Sequence, residues 1–349
     1  MRAAAAIAAT SAARATAAAT AAATATAAAA AAVCVSGAAL LTGCARHHER
    51  VRPTEHLRER CETTVGTFNI RLDTAADGVN AWPNRMDMVV DVLGSAQIWG
   101  IQEALPHQVR ELTRRMPHME ALWRTRDADP TRDESCPVLF DRRVWSIDQS
   151  EHGTFWLSED PSVPGSRSWD SALPRICTYA RLVSHGTEPC ALYVFNVHLD
   201  HRGSVARRES ARLLAERIAM RAHADPVVVL GDFNAGPESA PLRELVAGIP
   251  KVSGLPLRDA WREANPGAAE QGTFSGWSEA VSGPRIDFVL VSPDVRVISA
   301  SIDASQQKGR WPSDHLPVTA RIQLRPARND ADAGARTELG SDRTRHAAE

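Results

Sequence analysis

The chain has 349 residues, 44% apolar and 23% charged, which is enough for one large core and too apolar for a disordered polymer. Its 40 basic residues face 42 acidic ones, a formal net charge of −2, and this excludes the strongly basic footprint of a sequence-blind nucleic-acid binder. Nearly all the positive charge is arginine, since Lys251 and Lys308 are the only lysines.

The beginning of the chain differs from the rest. Residues 3–32 contain 22 alanines, and residues 27–42 form an uncharged apolar run behind Arg2 and Arg14. A short apolar run behind a basic start predicts a secretory signal over residues 1–43, and it is too short and too weakly apolar for a spanning helix. The run ends Leu41-Thr42-Gly43-Cys44, which resembles a bacterial lipobox. That resemblance implies cleavage before Cys44, a lipid on its thiol, and an extracytoplasmic lipoprotein anchored in the membrane, at the cell surface or in the periplasm. The competing reading is a low-complexity alanine tract with a chance cysteine. Removing residues 1–43 takes away two arginines and no acid, which leaves 38 basic against 42 acidic residues and a net charge of −4.

Residues 44–61 are polar and arginine-rich, as expected of a tether. β-Branched residues and Phe68 then predict a strand over 63–70. Residues 84–93 predict a helix with Met86, Val89, Val90 and Leu93 on one face and Gly94 as its stop. A strand over 96–101 and a helix over 107–115 follow. Strands are predicted over 137–140, 154–157, 176–183 and 191–197. Residues 204–222 carry a helical pattern, with Ala206, Leu213, Leu214 and Ile218 inward and Arg207, Arg208, Arg212, Arg217 and Arg221 covering the rest. The unbroken apolar run 227–230 predicts a fully buried strand. Strands over 286–291, 295–302 and 317–324 close the domain, and residues 325–349 have the composition of a disordered tail. No repeat or composition break divides 62–324, which therefore reads as one domain. Strands outnumber helices without alternating with them, which predicts a layered α+β sandwich rather than a doubly wound sheet.

Beyond Cys34 and Cys44, four cysteines remain: Cys61, Cys136, Cys177 and Cys190. They allow two disulfides in three connectivities, or four buried thiols, and the sequence leaves both open. No Cys-x-x-Cys or Cys/His cluster suggests zinc.

Polar residues recur beside the apolar strands. Asn69 closes the first, and Gln102 and Glu103 follow the second. Asn196, His198, Asp200 and His201 end a later one, and Asp232 and Asn234 follow the buried valine run. Arg285 and Asp287 lead into another, and Ser313, Asp314 and His315 precede the last. Taken singly, each reads as a turn, a cap or a core histidine. Taken together they do not, because buried carboxylates must be paired or bound to a metal. Residues two apart on a strand face the same way, so His198 with Asp200, and Asp232 with Asn234, can share a site. The donors Glu103, Asp232, Asn234, Asp314 and Asn69 are oxygens without thiolates. They point to a hard cation, Mg²⁺ first, with Mn²⁺ or Ca²⁺ as substitutes. The histidines add proton transfer and a cationic clamp for a phosphoryl group. No Gly-x-Ser-x-Gly elbow, P-loop or dinucleotide glycine motif is present.

The ordered set Gln102-Glu103, Asn196-x-His198, Gly231-Asp232-Phe233-Asn234 and Ser313-Asp314-His315 resembles the endonuclease/exonuclease/phosphatase superfamily, the deoxyribonuclease I-like proteins, over residues 62–324. Phe68-Asn69-Ile70-Arg71 with Trp82-Pro83-Asn84-Arg85 resembles an exported bacterial branch of it. The resemblance implies a four-layer α/β/β/α sandwich of two packed mixed sheets. It implies that Glu103 is the principal Mg²⁺ ligand, with Asn69 and Asp314 beside it. It implies that Asp232 orients or deprotonates the attacking water, that Asn234 contacts phosphate and water, and that His315, paired with Asp287, binds phosphoryl oxygens or acts as acid or base. His198 would approach the phosphate from the other side, supported by Glu134. Arg175 matches a phosphate-binding arginine, and Asp200 and His201 are expected near the substrate or just behind it. Arg71 stands where some nucleases carry an acidic residue at the metal site, which implies another metal environment or a contact to an anionic substrate.

The function expected from these residues is metal-dependent hydrolysis of a phosphoester by in-line attack of water. The substrate would be a small molecule or lipid headgroup, as a monoester or diester. Trp82, Trp277 and Phe274 are candidates to line a pocket for it, with core or lid packing as the alternative. An extracytoplasmic nuclease is the second reading, with nucleic acid as partner, and a binding module without catalysis is the third.

Overall fold

A computed structural model describes residues 61–248 and 256–324. The predicted signal, Cys44, most of the tether and the tail lie outside the described residues. In chain order the strands are β1 (Cys61–Asn69), β2 (Ile98–Gln102), β3 (Met119–Leu122), β4 (Val138–Asp141), β5 (Trp145–Trp156), β6 (Ile176–Ser184), β7 (Ala191–His198), β8 (Val227–Asp232), β9 (Arg258–Asp259), β10 (Asp287–Val291), β11 (Arg296–Ile302) and β12 (Val318–Leu324). The α-helices are α1 (Met86–Leu93), α2 (Pro106–Arg115), α3 (Ser204–Ala219), α4 (Ala240–Ala247) and α5 (Ala260–Ala264).

The strands form two six-stranded mixed sheets, ordered β11-β12-β1-β2-β4-β3 and β5-β6-β7-β8-β10-β9. Each has a parallel pair at its centre, β1 with β2 and β7 with β8, and antiparallel neighbours around it. Central strands such as β7 and β8 are buried along their whole length, which is why they read as continuous apolar runs. One face of each sheet meets the other sheet through Val65, Ile98, Leu192, Val194, Val228, Leu230 and Val289. On the outer face of the first sheet Phe68, Trp99 and Ile101 pack with Val89 and Leu93 of α1 and Val109 and Leu112 of α2. On the outer face of the second, Phe195 and Val229 pack with Leu214 and Ile218 of α3 and Leu242 and Leu245 of α4. The result is the four-layer α+β sandwich of the deoxyribonuclease I-like fold.

Below one end of the sandwich the interface between the sheets turns polar. Gln102 Nε2 donates to Asn196 Oδ1 at 2.7 Å, and Asn196 Nδ2 donates to the carbonyls of Ile101 and Pro137, both at 2.7 Å. Gly100 permits this approach, because a Cβ there would lie 2.7 Å from Asn196 Oδ1 and from Leu230 Cβ.

The structure departs from the sequence expectations in several places. β5 begins nine residues earlier than residue 154, because its first half is a polar, bulged edge with no alternation to read. β3, β9, α4 and α5 are short and were not predicted. Helix α3 stops at Ala219, and its inward face is Ala206, Ser210, Ala211, Leu214, Ala215 and Ile218, with Leu213 only partly buried. In α1 Met88 is buried, and Met86 and Val90 sit at the margin. Of the two readings left open for the cysteines, the structure has Cys61, Cys136, Cys177 and Cys190 as free thiols.

Candidate active site

Topology brings the polar strand ends to one place. Asn69 and Gln102 are in register at the carboxyl ends of the parallel pair β1 and β2, and Glu103 follows immediately. In the other sheet His198 and Asp232 are in register at the ends of β7 and β8, and Asp287 opens antiparallel β10 opposite Asp232. Ser313, Asp314 and His315 lie on the segment that enters β12. Strand ends over a rigid sheet are where functional groups can be held precisely placed.

Asn69 stands at the junction. Its Nδ2 donates to Glu103 Oε1 at 3.1 Å and to Asp232 Oδ2 at 3.0 Å, and lies 3.4 Å from His315 Nε2. His315 Nδ1 is 3.0 Å from Asp287 Oδ2, the pairing that the sequence resemblance implies, and its Nε2 is 3.7 Å from Asp232 Oδ2. Asn234 Nδ2 donates to the carbonyl of Leu199 at 3.0 Å and lies 3.1 Å from His198 Nε2. The Asn234 N–H donates to Asp232 Oδ1 at 2.9 Å. Three residues of this centre, Arg71, Glu103 and Asn234, hold positive φ, at 56°, 60° and 48°. Such conformations persist in non-glycine residues where surrounding bonds over-determine them, and they concentrate at functional sites.

The electrostatics separate the two histidines. Burial alone would strip the proton from His315, but the Asp287 and Asp232 carboxylates outweigh it and hold the ring up at about 10. Burial, then the Arg175 charge, pushes His198 well below the usual imidazole range. At neutral pH His315 is therefore an imidazolium and His198 a neutral ring. Burial and the neighbouring Asp287 raise Asp232 to about 7, against the pull of His315. Asp314 is also raised, chiefly by burial.

The donor chemistry fits a hard divalent cation. The Glu103 and Asp314 carboxylates flank the Arg71 guanidinium, which is 3.8 Å from Glu103 Oε2 and 3.9 Å from Asp314 Oδ2. Asp77 clamps that guanidinium through two bonds of 3.1 Å. Deeper, Asp232, Asp287 and His315 lie with one nitrogen or oxygen each within 4.8 Å of the others, and there the His315 imidazolium is the cation that faces the two carboxylates. Oxygen donors without thiolates select Mg²⁺, Mn²⁺ or Ca²⁺ over softer ions.

Four expectations change. Asn69 presents its amide NH₂ to Glu103 and Asp232, while its Oδ1 accepts the Arg71 N–H at 3.0 Å. In this arrangement it bridges two carboxylates rather than offering an oxygen to a metal. Glu134 gives its bonds to Arg126, two of 2.8 Å, rather than to His198, although both line one small cavity with Arg175. Asp200 turns from the substrate side to the backbone, accepting the Gly203 N–H at 2.7 Å and the Arg202 N–H at 3.0 Å. Burial would raise that carboxyl, but these N–H groups hold it at about 2. Of the three candidate pocket aromatics, Trp82 is buried and Trp277 stacks on Arg85, 5.6 Å from its guanidinium. Phe274 is 38% exposed with its ring 5.0 Å from that of His315, so it is the aromatic that opens directly beside the catalytic histidine, while Trp277 is half-buried.

Arg175 and His201 stand together beside Asp200. Arg175 is buried, with Nη2 3.0 Å from His201 Nδ1 and Nε 3.5 Å from Asp200 Oδ2. Sequence reasoning missed Thr273 and gave Ser313, a member of the Ser313-Asp314-His315 set, no role of its own. The Thr273 hydroxyl accepts the N–H groups of Ile286 and Asp287 at 3.0 and 3.2 Å, and the Ser313 hydroxyl donates to the Asn69 carbonyl at 2.7 Å. A buried hydroxyl within a loop has no period or composition signal to reveal it.

Comparison with known proteins agrees with this geometry. A family model for the Endonuclease/Exonuclease/phosphatase family matches residues 66–315. A protein described as an endonuclease/exonuclease/phosphatase from Bacteroides vulgatus has 30% sequence identity and a TM-score of 0.70, covering 76% of this chain and 100% of its own. A mannosyl-6-phosphatase from Bacteroides thetaiotaomicron has 29% identity and a TM-score of 0.65, covering 74% of this chain and 99% of its own. A conserved protein of unknown function from Enterococcus faecalis, at 23% identity and a TM-score of 0.64, shares the fold. No curated protein matches the sequence. Two mixed sheets, a carboxylate–histidine centre where their strand ends meet, and a family match spanning both place this chain in the endonuclease/exonuclease/phosphatase family of phosphoester hydrolases.

Proposed function

We propose that this chain is a Mg²⁺-dependent phosphoesterase that works outside the cytoplasm, anchored by a lipid on Cys44, and hydrolyses phosphate monoesters of small molecules such as sugars. The observation that carries the catalytic reading is the chain of contacts from Asp287 through His315 to Asp232, Asn69 and Glu103. It puts a fixed cation, a carboxylate that titrates near neutrality and a divalent-cation donor side by side. Glu103 and Asp314 would hold the divalent cation, which would supply Lewis-acid neutralisation of phosphate charge. Asp232, held near 7, takes a proton from water while Asn234 fixes its orientation. The His315 imidazolium turns Nε2 toward the site and stabilises phosphoryl oxygens as charge builds. Arg175, His198 and Asn234 receive the phosphate from the second sheet.

Monoesters come first because the relative from Bacteroides thetaiotaomicron, at 29% identity, is by its name a phosphatase of a sugar phosphate. Small substrates also agree with the arginine-rich helix α3, where Arg212 pairs with Glu244 and Arg208 with Glu209. Export rests on the apolar run and on Leu41-Thr42-Gly43-Cys44.

The deciding experiment measures release of p-nitrophenol from its phosphate monoester and from its bis-ester by purified residues 45–349, with Mg²⁺, with EDTA and with Asp232→Asn. Turnover that needs both metal and Asp232, faster on the monoester, is expected. Metal-independent turnover refutes the mechanism, and faster cleavage of supercoiled DNA than of either ester refutes the small-substrate reading. Membrane fractionation of the full chain beside Cys44→Ala tests the anchor, which fails if both partition alike.

A further inference from the structure

Arg85 is a buried arginine with an unusual set of partners. It is 1% exposed, and its hydrogen bonds go to backbone carbonyls. Nε donates to Asn80 O at 2.8 Å, Nη1 to Ile70 O and to Pro312 O at 3.3 Å, and Nη2 to Arg71 O at 2.7 Å and Leu72 O at 3.4 Å. The guanidinium lies between two tryptophans, 5.2 Å from the Trp82 ring and 5.6 Å from that of Trp277. Taking an arginine out of water is costly, and a carboxylate is its usual compensation. Here several carbonyls and two π-faces supply it, which fixes a geometry as well as a charge.

The far ends of the same peptides hold Asn69 and the candidate cation ligand Glu103. The peptide joining Ile70 and Arg71 gives its carbonyl to Arg85 and its N–H to Asn69 Oδ1 at 3.0 Å. The peptide joining Arg71 and Leu72 gives its carbonyl to Arg85 and its N–H to Glu103 Oε2 at 3.2 Å. Pro312 O leads into Ser313 and Asp314, and the Ser313 hydroxyl returns to Asn69 O. A cation on a carbonyl polarises the peptide and strengthens its N–H as a donor. The same bonds keep Arg71 at its positive φ, from which its guanidinium reaches between Glu103 and Asp314.

We propose that Arg85 is the positioning residue of the cation site: by gathering the carbonyls of the 70–72 loop and of Pro312 it holds Glu103 and Asp314, and the Asn69 amide that bridges Glu103 to Asp232, in their binding arrangement. This rests on the metal-dependent reading above. Supports of this kind are worth 10- to 100-fold in metal affinity.

Calorimetric titration of Mn²⁺ into the metal-free full chain tests it, on wild type, Arg85→Lys and Trp277→Ala. Lysine keeps the charge but cannot reach this set of carbonyls, so affinity is expected to fall at least tenfold with near-ultraviolet circular dichroism unchanged. Trp277→Ala removes one stacking face and leaves the carbonyl bonds, so it is expected to lose less than threefold. Arg85→Lys binding within twofold of wild type overturns the proposal, and so does an equal loss in Trp277→Ala, which would assign the effect to packing. A wild type that binds no Mn²⁺ overturns the metal-dependent reading itself. Hydrogen exchange on metal-free wild type needs no variant. Slow exchange of the Arg71 and Leu72 amides is expected, and free exchange would show that the loop is not held before metal arrives.

Discussion

Replacing Asp287 with asparagine should convert His315 from an imidazolium into a neutral ring with little change of shape. Asp287 is fully buried and lies 3.0 Å from His315 Nδ1. Burial disfavours the imidazolium, and Asp287 is the largest of the influences opposing it, followed by Asp232. Raising an imidazole from 6.5 to about 10 corresponds to about 5 kcal/mol of preference for the charged ring. At pH 8 about 99% of His315 is then protonated in the wild type. Without Asp287 burial dominates, and the ring falls to its ordinary value or below. A raised folded-state value means the stabilisation is fully present below pH 6.5 and is lost as pH rises through about 10. Asp287→Asn should remove this slope, so that its stability changes less than the wild type's between pH 7 and 10. Turnover should fall about 10²- to 10³-fold at pH 8, as when one preorganised donor to a developing oxyanion is lost. The measurements are an NMR titration of the His315 ring, assigned by its absence in His315→Gln, urea unfolding across pH, and a pH–rate profile. A His315 that still titrates above 9 in Asp287→Asn refutes the reasoning.

Other substitutions probe the neighbours. Asp232→Asn should abolish turnover without lowering the melting temperature at pH 8. Its carboxyl is raised to about 7, so the stability it contributes is present below 3.8 and lost as pH rises through 7, and the neutral amide escapes that loss; a lower melting temperature at pH 8 counts against this. Gly100→Ala should cost about 1–3 kcal/mol in urea unfolding, because its Cβ would meet Asn196 Oδ1 and Leu230 Cβ at 2.7 Å. Gly236→Ala, with open space around it, should stay within about 0.5 kcal/mol, and equal costs would remove the steric explanation. Arg126→Met should cost about 3–5 kcal/mol at pH 8 by stranding Glu134, and less at pH 5, where a carboxyl already raised to about 7 by burial is protonated; a cost independent of pH would contradict it.

The central strands were legible because burial on both faces leaves unbroken apolar runs, as in Val227–Asp232 and Ala191–His198. The site residues were legible for the complementary reason: polar groups sit where those runs stop. Edge elements were not, since the first half of β5 is polar and bulged and carries neither period. Partner choice lies further from the sequence. Glu134 precedes its strand at a place that suggests His198, yet Arg126, eight residues earlier, takes both its oxygens. Nothing local distinguishes an arginine that pairs with a carboxylate from Arg85, which binds carbonyls, because the difference is made by loops distant in sequence. The inward face of α3 was misread by one position. Leu213 is more apolar than Ala211, but Ala211 is the one turned onto the sheet, and Leu213 stays partly buried at its margin.

The site is divided between the two sheets, and this places a demand on how they align. The first sheet brings Asn69, Glu103, Asp314 and His315; the second brings His198, Asp232, Asn234 and Asp287. Two of the decisive contacts, Asn69 to Asp232 and His315 to Asp287, cross from one to the other. Apolar packing sets the separation of two sheets but is non-directional, so it resists a small sliding motion weakly. Catalytic constellations tolerate errors of only about 0.5 Å. The buried amides beneath the site supply the missing direction. Asn196 and Gln102 bond to each other, and Asn196 reaches two carbonyls of the first sheet's side, all at 2.7 Å. A slide long enough to part Asn69 from Asp232 would strand these buried groups, each costing about 1–3 kcal/mol. Gly100 is what lets the sheets come near enough for those bonds to form. The polar patch in an otherwise apolar interface therefore lies at the end where misalignment would cost activity, and the apolar core carries the rest.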